Sequence, residues 1–204
     1  MKTGCIDLDN LTEYKENSIT LIYGAGGSGK TTLGLLVSIN ALKEKKKVLF
    51  IDAGNNFSVE RFNQLSNDPS LLPKMLIMKI KSFNVQHEHI KKLSELKGFD
   101  LIVIDSLTTF YRRLYSREPE LAMAMLNKQL GILDDLTKNN ITIVITSEVY
   151  SDMEKNIHPV AEEILKRFTS LNIKLEKQPR RLIISKPEFK YFNFKIINEG
   201  IIKI

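Results

Sequence analysis

The chain has 204 residues, 43% of them hydrophobic and 26% charged, a composition that excludes collagen-like repeats, low-complexity scaffolds and wholesale disorder. Lys and Arg number 30 against 24 Asp and Glu, a formal charge of +6, and most of that excess falls in 151–204. A basic quarter of this kind suits a solvated surface slightly better than a phosphate-backbone contact, so charge alone decides nothing. Apolar stretches such as Leu101–Ile104 are too short to cross a bilayer. The opening Met-Lys-Thr-Gly-Cys lacks the apolar segment of a secretory signal, and Cys5 stands alone, which together predict a reducing, cytoplasmic setting.

In chain order, Ser18–Tyr23 reads as a strand feeding a glycine-rich turn, and Lys30–Leu42 as a helix. Lys47–Ile51 is a second strand ending at Asp52, followed by a short helix from a Ser58 cap to Leu65. Met75–Ile80 is a third strand, Gln86–Leu96 a helix, and Asp100–Asp105 a fourth strand. Pro119 opens a long helix to Lys138, since proline suits a first turn, and Ile141–Thr146 is a fifth strand. Four of these strands lack polar alternation, the pattern of strands covered by helices on both faces of a parallel sheet. Beyond Glu148 the texture changes. A helix over Val160–Thr169 precedes strands at Leu171–Glu176, Arg180–Ser185 and Tyr191–Ile197, spaced as an antiparallel meander. Phe189, Tyr191, Phe192 and Phe194 are expected mostly to fill its core. An α/β fold with one domain over 1–204 is expected.

The strongest signal is Gly24-Ala25-Gly26-Gly27-Ser28-Gly29-Lys30-Thr31, followed by Thr32, between a strand and a helix. Glycines let successive backbone N–H groups converge on an anion, and the helix directs its positive end at the same point. Lys30 is placed to reach the β- and γ-phosphates, and the Thr31 hydroxyl to ligate Mg²⁺. Asp105, an acid at the carboxyl end of an apolar strand, is the expected second metal group, with Asp52 a weaker alternative. His87 and His89 flank Glu88 without metal-ligand spacing and read as a solvated helix start. The lysine run after the first long helix favours its negative end and needs no further explanation.

On these residues the chain resembles the RecA/RadA recombinase superfamily, most closely the short archaeal RadA paralogues called RadB. The likeness is carried by Thr3-Gly4-Cys5 with Leu8, Asp9 and Leu11, by Ile19–Thr32, by Asp100–Arg112, by Ile143–Asp152 and by Arg180–Ile201. The resemblance implies a RecA-type phosphate-loop core: a largely parallel twisted sheet, helices on both faces, a C-terminal antiparallel extension and no separate N-terminal DNA-binding domain. It implies ATP and Mg²⁺ as cofactors and an accessory or mediator role in recombinational repair. Single-stranded DNA, a RadA-type recombinase or other repair proteins, and further copies of the chain are its implied partners. A KaiC-like regulatory ATPase that need not touch DNA is the alternative; a small-molecule kinase lacks a lid-like arginine segment.

Three departures from the family pattern predict tight nucleotide binding with slow hydrolysis. Gly54 stands where the resemblance implies a water-polarising glutamate, and losing such a group lowers rates ~10²–10⁴-fold. Glu148 replaces the sensor glutamine, and a carboxylate there repels a γ-phosphate unless neutralised. Lys186-Pro187-Glu188 keeps the lysine of a trans-acting K-x-R pair and loses its arginine. Lys30, Glu148 and Lys186 are therefore the candidate catalytic residues, with Glu148 or Glu60 as a rival base. The resemblance further implies DNA-facing loops at Arg112–Glu120 and Val149–Pro159. Arg112, Arg113, Arg117 and Lys155 are the candidate contacts there, with Tyr111 and Tyr115 either stacking on bases or packing beneath a helix. His158 reads as an ordinary loop histidine.

Overall fold

The computed structural model describes residues 2–11, 15–96 and 98–204. Runs of branched apolar residues form the strands β1 (Ile19–Gly24), β2 (Val48–Asp52), β4 (Leu101–Asp105) and β5 (Thr142–Ser147), buried at every position. Between and around them run α1 (Ile6–Leu11), α2 (Lys30–Lys43), α3 (Val59–Ser66), β3 (Met75–Lys79), α4 (Phe83–Lys92), α5 (Thr109–Tyr115) and α6 (Pro119–Lys138). After β5 come β6 (Val149–Ser151), β7 (Ile157–Pro159), α7 (Glu162–Phe168), β8 (Thr169–Leu175), β9 (Arg181–Lys186), β10 (Lys190–Ile197) and β11 (Gly200–Lys203).

Among the described residues, nine strands make one sheet in the order β11-β10-β9-β8-β1-β5-β4-β2-β3. Strands β8, β1, β5, β4, β2 and β3 run parallel, and β9, β10 and β11 continue antiparallel. One apolar layer joins α2 and α3 to the sheet through Leu33, Val37, Phe50, Phe62 and Phe194. The other joins α4, α5 and α6 through Phe83, Ile90, Tyr111, Leu126 and Leu133. The expected doubly covered parallel sheet with an antiparallel extension is therefore present. Strand β8 belongs to both parts: it pairs parallel with β1 and antiparallel with β9, so the expected antiparallel meander starts on the last parallel strand.

Local chemistry sets most element ends. Ser58 Oγ accepts from Arg61 N at 3.1 Å and starts α3, as its sequence predicts. Ser82 Oγ accepts from Val85 N at 3.2 Å, so α4 begins three residues before the expected Gln86. The stretch expected as a DNA-facing loop at Arg112–Glu120 is largely helical, because Tyr111 packs edge-on to Phe83 at 6.1 Å and seats α5 on the core. Val149–Pro159 is a two-stranded hairpin, β6 with β7. Strand β11, not anticipated, closes the antiparallel edge.

The segment around Thr3-Gly4-Cys5 is a clasp. Asp9 Oδ1 accepts from Thr3 N at 2.7 Å and Thr3 Oγ1 at 2.6 Å, while Lys203 N donates to Asp7 Oδ2 at 2.9 Å. Buried Cys5 donates from Sγ to Ile201 O at 3.5 Å, and burial raises its thiol pKa. Of the four aromatics expected in the meander core, Phe192 and Phe194 are buried; Phe189 and Tyr191 are exposed, their rings tilted against one another at 6.0 Å. Phe194 is fully enclosed, with the Arg180 guanidinium 5.9 Å from its ring centre. Phe194→Ala is expected to lower unfolding free energy by about 3–5 kcal/mol in urea titration.

Candidate nucleotide site

The carboxyl ends of the parallel strands gather the polar residues. Register places Asp52 beside Asp105, Ile104 beside Ile145, and Tyr23 beside Ser147. Gly24, Asp105 and Glu148 therefore follow adjacent strand ends, where open α/β sheets bind ligands.

The loop from Gly24 to Thr31 wraps the start of α2. A Cβ on Gly24 would lie 2.2 Å from Leu175 O, so β8 approaches too closely for any side chain. Gly29 has φ 112°, and a Cβ there would meet Ile196 Cδ1 at 2.9 Å. Gly26 faces open space, and Ser28 is buried. Lys30 Nζ donates to Gly24 O at 2.7 Å and Ala25 O at 3.1 Å, folding the ammonium into the loop. Burial pulls its pKa down, against the charges of Asp105 and Glu148. Gly26, Gly27, Gly29, Lys30, Thr31, Thr32, Asn56 and Ile196 line a cavity of about 250 Å³.

Thr31 Oγ1 donates to Asp105 Oδ2 at 2.6 Å, and Thr146 Oγ1 donates to Asp105 Oδ1 at 2.5 Å. The structure thus brings together the two expected metal-binding residues. Asp105 is 1% exposed, and burial pushes its pKa up despite both hydroxyls and Lys30. Its backbone oxygen also accepts from Ala53 N and Gly54 N, at 2.9 and 3.1 Å. Asp52, the weaker metal alternative, is engaged elsewhere: Oδ1 accepts from Asn56 N at 2.9 Å and Oδ2 from Phe57 N at 3.3 Å.

Glu148 follows β5 and meets Arg112 Nη1 at 3.9 Å through Oε2. Glu60 lies in the first turn of α3, exposed. Lys186 is not brought to the loop. Its register partner is Asn172, in the middle of β8 and away from Leu175 and Gly24, and its ammonium donates to Lys166 O at the end of α7 and to Thr169 O at the start of β8. Glu188 is exposed beside Lys190 at 3.2 Å.

Arg112, Arg113, Arg117 and Lys155 are all exposed. Arg113 stands 5.7 Å over the Phe110 ring. Tyr111 is 3% exposed and belongs to the core, so it cannot stack on a base; Tyr115 remains 44% exposed. Arg112, Tyr115 and Tyr150 share a second cavity of about 450 Å³ between α5, the β6–β7 hairpin and α7. His158 does more than an ordinary loop histidine. It contacts Glu162 Oε2 through Nδ1 at 2.8 Å and Asp152 Oδ2 through Nε2 at 2.9 Å, and stacks on Tyr150. The Asp152 and Glu162 carboxylates raise its pKa, so this tie between hairpin and α7 holds at low pH and weakens as pH rises through the raised value.

Sequence reading missed Asn56, Ile196, Lys177 and Arg180 at the loop. Arg180 Nη1 lies 3.3 Å from Gly27 O and Ser28 O, and Lys177 borders Gly27. No local pattern marks them; only the parallel pairing of β8 with β1 carries the β8–β9 turn there.

A glycine loop between strand and helix, an acid ending a strand of the same parallel sheet and an antiparallel extension define a RecA-type nucleotide-binding core. A sequence model of the Rad51 family matches residues 1–199, and the chain belongs to that family as a RecA-type recombinase paralogue. The DNA repair and recombination protein RadB of Methanococcus maripaludis strain C7 is 33% identical over 199 residues, 92% of each chain. RadB of Methanococcoides burtonii is 31% identical over 216 residues, covering 98% of this chain and 96% of its own. The crystal structure of the RadB recombinase superposes with a TM-score of 0.82 at 29% identity, covering 100% of this chain and 99% of that one. The KaiC-like alternative gains no support from these relatives. Among the described residues, no helix is long and apolar enough to cross a membrane.

The raised pKa of Asp105 has a definite sign. Its folded value lies above the unfolded one, so the stability it contributes is complete below the ordinary carboxylate range and is lost as pH rises through the folded value. At neutral pH the buried anion is a cost. Asp105→Asn is therefore expected to raise Tm at pH 7, by about 2–4 °C for each kcal/mol relieved. The gain should vanish at acid pH in the same thermal scans.

Proposed function

We propose that this chain binds ATP with Mg²⁺ at the 24–32 loop, hydrolyses it slowly, and serves as an accessory recombinase paralogue in DNA repair and homologous recombination. The observation that carries the reading is the Thr31–Asp105 hydrogen bond beside the Lys30 ammonium. A hydroxyl and a desolvated carboxylate form a hard oxygen donor pair, and the carboxylate lacks a full counter-charge. That fits a divalent magnesium ion, which supplies charge neutralisation at the phosphates when bound. Thr31 and Asp105 would hold it, directly or through water.

The remaining roles follow from the residues themselves. Loop amides from Gly26 to Thr31 and the start of α2 receive phosphate oxygens. Lys30 exchanges its bonds to Gly24 O and Ala25 O for phosphate oxygens, a replacement of neutral acceptors by charged ones. Gly54 offers no side chain to activate water, and Glu148 is held towards Arg112, which supports slow turnover. Lys186 reaches a γ-phosphate only as a contribution from one copy of the chain to another, so its catalytic role belongs to a homo-oligomer.

Arg112, Arg113, Arg117 and Lys155 present exposed cations on α5, the turn after it and the hairpin tip, a surface suited to single-stranded DNA without sequence preference. A RadA-type recombinase sharing that strand, or another repair protein, is the proposed protein partner. The name of the RadB relatives supports the repair setting.

Fluorescent ATP titration with Mg²⁺ tests the core of this reading. Wild type should retain the nucleotide and turn it over at well below one per second, about 10²-fold or more under ATPases that keep a water-activating group. Lys30→Ala should abolish retention; unchanged binding in that variant overturns the loop assignment. For DNA, four cations on phosphate predict that log affinity for single strands falls with log salt at a slope of about −3. Arg113→Ala with Lys155→Ala should roughly halve the slope. A salt-indifferent affinity contradicts the assigned surface.

A further inference from the structure

Residue 54 leaves a gap that the chain fills from two positions further on. A Cβ built on Gly54 would stand 2.2 Å from Asn56 Nδ2 and 3.1 Å from its Cγ. The Asn56 carboxamide therefore occupies the volume into which a side chain at 54 would grow. Its backbone is fixed from behind, since the buried Asp52 carboxylate accepts from Asn56 N and Phe57 N. Asn55, at φ 53°, turns the chain in the left-handed region between them.

Asn56 also borders the phosphate-loop cavity. Apart from the loop and the first turn of α2, Asn56 and Ile196 are the residues that wall it, and Ile196 is apolar. Asn56 is thus the residue with a hydrogen-bonding side chain that lines this cavity from outside the loop and α2. Its flank is also defined. Asp52 lies beside Asp105 in the β2–β4 register, so the 53–57 turn rises next to Asp105 and the end where Lys30 and Thr31 converge. Ile196 comes from β10, beyond β8 on the opposite side of β1.

We propose that Asn56 binds the terminal phosphate of a nucleoside triphosphate and makes the site discriminate triphosphate from diphosphate. Nδ2 donates to a γ-phosphate oxygen, and Oδ1 accepts from the water aligned behind the phosphorus. An amide donates and accepts at once but is no base at neutral pH. In hydrolysis the water oxygen bonds to phosphorus, the bond to the bridging oxygen of the departing diphosphate breaks, and the water proton passes to phosphate oxygen; Asn56 takes none. A group that grips the γ-phosphate without accepting a proton gives a long-lived triphosphate-bound state. The inference rests on the reading of the loop as a nucleotide site.

Equilibrium titration with ADP and with a non-hydrolysable ATP analogue, both with Mg²⁺, separates the two claims. Asn56→Ala should leave ADP affinity unchanged and weaken the triphosphate analogue about tenfold or more, the loss of one hydrogen bond to a charged group. Asn56→Asp, close in shape, should weaken the analogue further by placing a carboxylate against phosphate. Gly54→Ala, which displaces the carboxamide without deleting it, should reproduce the selective loss. Equal changes for both nucleotides, or none, in Asn56→Ala overturn this inference alone. Failure of wild type to bind either nucleotide overturns the loop reading beneath it.

Discussion

Asp105 is a carboxylate enclosed by protein, and the arrangement of the nucleotide site can be read as the means of keeping it there. Two threonine hydroxyls, one from α2 and one from β5, converge on its oxygens, and the Lys30 ammonium stands nearby. Burial still wins, because its pKa is raised rather than lowered. A site under that tension has a strong electrostatic reason to take up a cation. The same residue couples the strands: its backbone oxygen holds the start of the 53–57 turn, while Asp52 holds the rest. One strand end thus fixes the Thr31–Asp105 pair and the turn that walls the cavity.

The glycines of the loop answer to the sheet as well as to phosphate. Gly24 is demanded by the close passage of Leu175 O, and Gly29 by its left-handed backbone and by Ile196. Strand β8, together with the antiparallel extension that a first look would treat as an appendage, therefore braces the loop from outside. Arg180 adds polar contact from the same side.

Residues whose position depends on their neighbours in sequence were legible. Lys30, Thr31 and Asp105 follow from a loop pattern and from an acid ending an apolar run, and Ser58 and Pro119 from helix-start chemistry. Residues whose role depends on topology were not. Asn56 sits in a turn with no signature, and it meets the loop only because β2 lies beside β4. Tyr111 looks like a stacking residue beside three arginines, yet α5 buries it against Phe83. Lys186 falls at the end of β9 away from the loop, a fact that strand register alone discloses. His158 acquires its two carboxylate partners from a hairpin and a helix that only folding juxtaposes.

The clasp of Cys5 and Asp7 onto β11 has a kinetic side. Its contacts join residues 196 apart in sequence, among the most distant that this chain makes. Closing so long a loop carries an entropic penalty that only an already formed sheet can offset. During synthesis the bonds from Cys5 and Asp7 to β11 must wait until Gly200–Lys203 has emerged. Until then Leu36, which packs against Gly200, keeps part of its apolar surface in water. The chain is thereby left longest in need of protection at the face where its first helix and last strand are to meet.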